Sequence, residues 1–526
     1  MTPASSSARN IPAASRPFRP LPRAMIAVSV EARLDIQYGA LLLILTAIMV
    51  LPGVFTLPME LWDESRNANN AMEIAKYGRW MVPTFGYAPD HWNTKPPLLV
   101  WIIAALLRTG MDPMLAVRLP SVAATMGSVL LVYVTCRATI RDRMAGLLGG
   151  LLVICSTLFM GDHVGRTGDY DAPLAFLSLG FVLCVGRYID APADRFGKWI
   201  GLGAVLLFLA IMTKGVAAGM AVPGLLVYAI VCRRLLVITR DWRLWASAAG
   251  VFAGVAGWLA LREHLDPGYF AAMWYNDVGG RLLIALEHHS AGPLYYLKVL
   301  AFTFQPAVLL LPMVLAVRRD RDPARRQLCL LTTLSAASWI IALSCAGTKI
   351  YWYVAPVVPL LAIAVASGTT SFLRQKQPPL SNLVVIRPVI VTLLLTFWYL
   401  NVRAPDGTSF YAADQAWYGP FLNKIRDKAR LDGAVIVDQG LPNEAGFQHY
   451  NPIARFFAED AGRRGEHMRL AAPGTPIAKD ATIISCDPRV RDWLKPQSFF
   501  GVIQSDTRCV LGRIAMPPDN AVVPGG

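Results

Sequence analysis

The stretch LWDESRNANNAMEIAKYGRWMVPTFGYAPDHWNTKPPLLVW, Leu61 to Trp101, sets Asp63 and Glu64 just after one apolar run and Lys95 just before another. A lone carboxylate in that position is ordinarily solvated, and a lone lysine ordinarily snorkels its amine to water. Here the lysine setting repeats. Lys95 precedes Pro96-Pro97, Lys214 lies in IMTKGVAAGMAVPG, and Lys349 lies in SCAGTKIYWYVAP. Three cations at the ends of apolar runs suit an anion held at headgroup level, and a lipid phosphate has that chemistry. An acidic residue beside such an anion can act as general base toward a hydroxyl.

Two further stretches carry chemistry-bearing residues. GDHVGRTGDYDAPLAF contains Arg166, Asp169 and Asp171, for which a local Arg–Asp cap and a functional acidic site stand level. GGRLLIALEHHSAGPLYYL adds Arg281, Glu287, His288 and His289. Glu-His-His in a row does not put three ligands on one helical face, so polar loop residues are the simpler reading than a metal site. A divalent metal remains a candidate cofactor with no ligand set assigned.

The elements that must position these residues are membrane spans. The chain has 526 residues, 55% of them hydrophobic and only 16% charged, where a soluble chain carries about 25% charge. Apolar runs long enough to cross roughly 30 Å of hydrocarbon recur from Tyr38–Leu57 to 387–400. The net charge of +15 gathers in CRATIRDR (136–143), CRRLLVITRDWR (232–243) and RRDRDPARR (318–326). Short basic breaks between spans are the mark of cytoplasmic loops. No aromatic-interleaved basic platform is present, so nucleic acid is excluded as the partner.

This reading predicts a disordered cytoplasmic tail over 1–37, a membrane domain over 38–400 and a C-terminal region outside. The first external loop is 59–96, in which NANNAMEIAKYGRW (67–80) predicts an amphipathic helix on the interface. The parity does not close. Hydropathy gives an even number of crossings, counting a short one at 97–109, whereas an inside N-terminus and outside C-terminus need an odd number. The stretches 97–135 and 142–187 are where the miscount would lie.

Residues 401–526 read as a small soluble α/β domain. GAVIVDQG and ATIISCDP predict buried strands, FFGVIQSDTRCVLGRIAM a strand pair, and EAGFQHYNPIARFFAED a helix. No phosphate-binding loop or nucleophile motif appears there. Cys486 and Cys509 form a disulfide or stay as two thiols, the sequence leaving both open. The other six cysteines lie in or beside spans and read as small apolar fillers.

At this point the motifs resemble a known family. The segments LWDESRNANNAMEIAKYGRWMVP…NTKPPLLVW, GRTGDYDAPLAFL, MTKGVAAGMAVPG and GTKIYWYVAPVVPLLA are similar in order and spacing to those of GT-C fold glycosyltransferases of the aminoarabinose-transferase (ArnT-like) type, relatives of protein O-mannosyltransferases. The resemblance implies a polytopic α-helical membrane fold of about 11–13 spans, with interfacial periplasmic loop helices and a C-terminal appendage. It implies transfer of a sugar from a polyprenyl-phosphate donor to a lipid or glycan acceptor, such as lipid A, on the periplasmic side of the bacterial inner membrane. Membrane lipids would be the other partners. By the same resemblance Asp63, Glu64 and Asp171 are the catalytic acids, and Lys95, Lys214, Lys349 and Tyr353 grip the donor phosphate. Arg166, Asp169, Arg281, Glu287 and His288 are candidate substrate contacts. Members often carry Glu before the Lys-Pro-Pro lysine, where this chain has Thr94. Two alternatives share many spans and buried charges: an O-mannosyltransferase-like enzyme acting on protein, and a lipid flippase without chemistry. The lack of an internal repeat and the position of the charges at external span ends weigh against a transporter.

Overall fold

A computed structural model describes the chain except residues 1–22, 192–196, 286–288, 377–378, 404–413, 426–430, 441–449, 472–474, 477 and 516–526. Glu287 and His288 therefore lie outside the described residues. The first helix, α1 (Arg23–Thr56), begins inside the stretch read as a disordered tail.

Polar contacts at helix ends fix the direction of each span. Arg118, near the start of α4 (Pro113–Thr139), donates to the carbonyls of Gly53, Val54 and Leu57 at the end of α1. Arg137, near its other end, pairs with Asp35 of α1 at 3.0 Å. The two helices are antiparallel, so α4 begins on the face where α1 finishes. Between them lie α2 (Asp63–Tyr77) and α3 (Leu98–Arg108). Since α1 ends and α4 begins on the same face, the chain between them, α3 included, makes no net crossing. The single crossing read at 97–109 therefore does not exist.

The next helices, α5 (Arg143–Ile154) and α6 (Asp171–Asp190), continue the alternation. The apolar helical stretch Lys198–Val231 is 34 residues long. Its contacts show a hairpin. At its midpoint Lys214 bonds Asp171, at the start of α6. Further on, Tyr228 Oη donates to Asp190, at the other end of α6. The two partners are separated by the whole 20-residue helix, about 30 Å, so the chain has turned back. It forms α7 (Lys198–Lys214) and α8 (Val222–Val231). The turn is at Gly215, whose φ of 57° and ψ of −135° suit glycine alone. On its return α8 packs so closely on α11 (Pro323–Cys345) that a Cβ at Gly224 would meet the Leu334 carbonyl oxygen at 2.5 Å.

The remaining spans are α9 (Trp242–Leu265), the bent pair that opens with α10 (Tyr295–Thr303) and ends at Arg319, α11, α12 (Val357–Lys376) and α13 (Pro379–Trp398). The described residues hold up to eight spans by length and composition alone; dividing Lys198–Val231 at its turn and adding the shorter apolar helices α5 and α13 gives eleven crossings. The number is odd, and the parity closes. All three basic breaks fall on one face: Arg143 pairs with Asp35, Tyr188 with Asp241, and Arg325 with Asp142 at 2.8 Å. Among the described residues, the loops 57–112, 155–170, 266–285 and 289–294 and the C-terminal segments share the opposite face.

On that face α2 departs from the expectation of an interfacial helix with one side in water. Every residue from Glu64 to Ile74 is buried. The C-terminal helix α15 (Pro452–Arg463), which follows α14 (Tyr418–Ile425), lies on it: Asn69 Nδ2 donates to the Pro452 carbonyl at 2.7 Å and Lys76 pairs with Glu459. The polar face is satisfied from inside the protein, as burial demands. Asp90 takes Arg66 in two 2.7 Å bonds, and Asn70 donates to the Thr84 carbonyl of the small β1 (Thr84–Phe85)–β2 (Ala88–Pro89) hairpin.

The C-terminal sheet runs β4 (Arg469–Ala471), β3 (Val435–Val437), β5 (Thr482–Ser485), β7 (Val510–Ile514), β6 (Phe500–Ser505). β3 and β5 fall in the stretches read as buried strands and β6–β7 is the strand pair read there; β4, β3 and β5 run parallel, a pairing the sequence did not announce, and β6–β7 is antiparallel. Cys486 and Cys509 are disulfide-bonded.

Candidate functional site

Asp63 is the first residue of α2, where the positive end of the helix dipole favours an acid. Its side chain keeps 21% of its surface, enough to meet a ligand, and lies 3.7 Å from Lys95 Nζ. Lys95 is placed by the rigid Pro96-Pro97 that starts α3. Beside this pair a cavity opens, lined by Lys95, Lys214, Arg281, Asp171, Asp277 and Tyr353. Its lining also includes the apolar Leu174, Met220, Trp339 and Leu343. Lys214 is held by Asp171 at 2.6 and 2.7 Å and sits 4.5 Å over the Tyr353 ring. Arg281 donates to the Asn276 carbonyl at 2.8 Å.

The electrostatics are those of an anion site with an ionised acid at its edge. Burial works against the Asp63 charge. The fields of Lys95, Lys214, His163 and Arg281 outweigh it and hold the carboxyl below its usual range. Burial likewise works against the Lys95 ammonium, and Asp63 and Asp277 more than restore it, so its pKa is raised.

Other residues expected at the site take different places. Glu64 turns away from the cavity and is fully buried against Arg118, with Nε–Oε1 at 2.6 Å and Nη2–Oε2 at 3.0 Å. It also accepts the backbone N–H of Gly168 at 2.9 Å and of Glu60 at 2.8 Å. It joins α2, α4 and the 165–170 loop, a positioning task. Lys349 Nζ donates to the Ser344 and Ala346 carbonyls at the end of α11 and does not line the cavity. A cation completing orphan carbonyls at a helix C-terminus is accounted for there. Arg166 is buried and ties its loop to the end of α13 through the Leu400 carbonyl at 2.7 Å and Asn401 at 2.8 Å. Asp169 accepts the Thr167 hydroxyl and faces His163 Nδ1 at 3.7 Å. Among the described residues no group of three or more His, Cys, Asp or Glu is arranged to hold a metal.

Three site residues escaped the sequence reading. Asp277 lies in the π-helical turn Trp274–Gly279 and accepts Thr94 Oγ1 at 2.6 Å. No motif announces it. Arg118 was visible as a lone arginine in an apolar run, a signal worth weighing. His163 is stacked on Trp352 at 3.8 Å with a φ of 62°, a conformation unusual for a non-glycine residue. Burial pushes its pKa down, but Asp169, Glu60 and Asp63 carry it up to about 9, so it is an imidazolium at neutral pH.

A polytopic helical membrane protein with this loop-built site has the architecture of the GT-C fold. The first solved match is ArnT from Cupriavidus metallidurans bound to undecaprenyl phosphate, with a TM-score of 0.64 at 16% identity over 92% of this chain and 99% of that one. The apo state of the same protein gives a TM-score of 0.63 over 93% and 100% of the two chains. A family model described as dolichyl-phosphate-mannose-protein mannosyltransferase matches residues 94–260. Among curated proteins, the undecaprenyl phosphate-alpha-4-amino-4-deoxy-L-arabinose arabinosyl transferase of Shewanella sediminis is 23% identical over 369 residues, 68% of this chain and 66% of that one. That of Aeromonas hydrophila is 28% identical over 338 residues, 61% and 59% of the two chains. The matched region thus spans about three-fifths to two-thirds of the length of these relatives. The chain shares the fold of these ArnT structures.

Proposed function

We propose that this protein transfers a sugar from a polyprenyl-phosphate donor to a cell-envelope acceptor, lipid A or another envelope glycan, on the periplasmic face of the inner membrane. The observation that carries this reading is one cavity holding Lys95, Lys214 and Arg281 beside Asp63, whose lining also carries apolar residues. The cations suit a phosphate and the apolar residues suit the isoprenoid behind it. The basic loops gather on the other face, which the positive-inside rule makes cytoplasmic. The Cys486–Cys509 bond suits an oxidising compartment on the site's face. The curated relatives are named for a pentose donor, which favours pentosyl over hexosyl transfer here.

The chemistry follows from the geometry. The acceptor hydroxyl approaches the exposed edge of Asp63 and passes its proton to the carboxylate. The acceptor oxygen bonds to the anomeric carbon as the bond from that carbon to the phosphate oxygen breaks. The electron pair leaves on the phosphate, whose growing charge Lys95, Lys214, Arg281 and the Tyr353 hydroxyl stabilise. An acid held below its usual range is a poor base in the empty site. A donor phosphate that engages Lys95 and Lys214 screens Asp63 from them and raises its proton affinity, so donor binding strengthens the base. The domains of the reading are a membrane catalytic domain over 38–400 and a periplasmic domain over 401–526 that braces α2.

The test is mass spectrometry of lipid A, other envelope glycans and polyprenyl phosphates from cells lacking the protein, complemented with wild type or Asp63→Asn. One glycan should lose a sugar while its lipid-linked donor accumulates, and Asp63→Asn, inserted and folded, should not restore it. Restoration by Asp63→Asn would remove the assigned role of Asp63. An unchanged glycan profile would remove the transferase reading.

A further inference from the structure

Two of the cavity's cations face acids, Lys95 beside Asp63 and Lys214 against Asp171, and a third acid, Asp277, shares the lining. Asp171 opens α6 and grips Lys214 through both oxygens. Asp63 opens α2 and is fixed by that helix. Asp277 is set differently. It is half-buried on the wide turn Trp274–Gly279, and its carboxylate accepts the hydroxyl of Thr94, the residue just before Lys95. Lys95 lies 3.7 Å from Asp63 and lines the cavity together with Asp277, whose field after that of Asp63 favours its ammonium. Arg281 follows Asp277 by four residues, on the same helical face.

The turn is stitched to the Lys95 loop. Tyr269 Oη donates to the Thr94 carbonyl at 2.6 Å, Asn276 Nδ2 to the His91 carbonyl at 2.8 Å, and His91 Nε2 meets Asp266 at 2.9 Å. The 266–281 segment therefore brings to the cavity both a cation, Arg281, and an anion, Asp277. A phosphate entering among Lys95, Lys214 and Arg281 meets that carboxylate as a competitor for the same charges.

We propose that Asp277 is a positioning residue that acts as a placeholder anion, holding Lys95 and Arg281 at the cavity in the empty site and yielding them to the donor phosphate. This rests on the reading of the cavity as a polyprenyl-phosphate site. After transfer the product is still a polyprenyl phosphate, and the same carboxylate competes it off. Asp277 thus trades donor affinity for release.

The prediction has a sign that structural damage does not produce. Asp277→Asn keeps an acceptor for the Thr94 hydroxyl and removes only the charge. Binding of undecaprenyl phosphate to the full-length protein in nanodiscs should tighten about tenfold, the scale of one unit charge removed at close range in a partly solvated site. KM for the donor should fall and kcat should not rise, because the product leaves more slowly. The pair exchange Thr94→Glu/Asp277→Ser returns a carboxylate to the same place from the other side, and affinity should return toward wild type. Lys95→Met is the control on the reading itself and should weaken binding. If Lys95→Met weakens binding while Asp277→Asn leaves it unchanged or weaker, the placeholder role is overturned and the cavity assignment stands. If Lys95→Met binds as well as wild type, the cavity assignment fails.

Discussion

Glu64 and Asp63 are adjacent acids, and the structure gives them opposite tasks, which a double-mutant cycle can measure. Glu64 and Arg118 are both buried, with two nitrogen–oxygen contacts at 2.6 and 3.0 Å. Replacing Arg118 by Met strands a buried carboxylate that retains only the Gly168 and Glu60 N–H groups. It also frees the carbonyls of Val54, Leu57 and Pro58 that Arg118 now binds. Breaking a buried pair from one side costs about 3–5 kcal/mol. Removing the charge of Glu64 as well, in Glu64→Gln/Arg118→Met, should recover roughly 2 kcal/mol of that loss, since the unpaired charge is the dominant cost. The assay is thermal unfolding in detergent for the wild type, both single variants and the double variant, with donor binding measured on each. Glu64→Gln should lower the melting temperature and reduce turnover in proportion to the folded fraction. Glu64→Gln with wild-type melting and abolished turnover would refute the argument, because Glu64 would then be acting on the substrate.

Three further outcomes follow from the same structure. Lys349→Met should leave undecaprenyl-phosphate affinity within about twofold of wild type, because that ammonium completes helix carbonyls; a loss comparable to Lys95→Met, read by the same binding assay, would return Lys349 to the phosphate site. His163→Gln removes one of the cations that hold Asp63 ionised, so the acid limb of the turnover–pH profile should move to higher pH; an unmoved limb would separate His163 from Asp63. In the C-terminal region, burial pushes Asp438 up from 3.8 to about 6. The folded state then binds more protons than the unfolded one between those values, so stability falls as pH rises from about 4 to 6. Asp438→Asn should remove that fall, worth up to about 3 kcal/mol, in melting curves collected across this range.

Much was legible in the sequence because it depends on local composition. Apolar runs of fixed length announce spans, and basic breaks give their orientation, since both follow from transferring side chains into hydrocarbon. The acids and lysines at the run ends, Asp63, Lys95, Asp171 and Lys214, stood out because charge beside a bilayer has a cost that needs a reason. The strands around Val435, Ile483 and Val510 were readable from the same kind of pattern.

What the sequence could not decide was which charge meets which. Lys95, Lys214 and Lys349 occupy equivalent settings along the chain, yet two reach the cavity and one turns back on its own helix end. Asp63 and Glu64 are neighbours, but the helical turn sends one toward Lys95 at the cavity's edge and the other to Arg118, 54 residues away. The helix α2 is polar enough to lie in water and is instead buried, because α15 of the C-terminal region covers it. The parity of the spans hung on Lys214 and Tyr228 finding opposite ends of one helix. Hydropathy is a sum over neighbours in sequence, so it sets where the chain enters the membrane. Pairing of buried charges depends on distances of a few ångströms between segments far apart in the chain, and only the tertiary structure sets those.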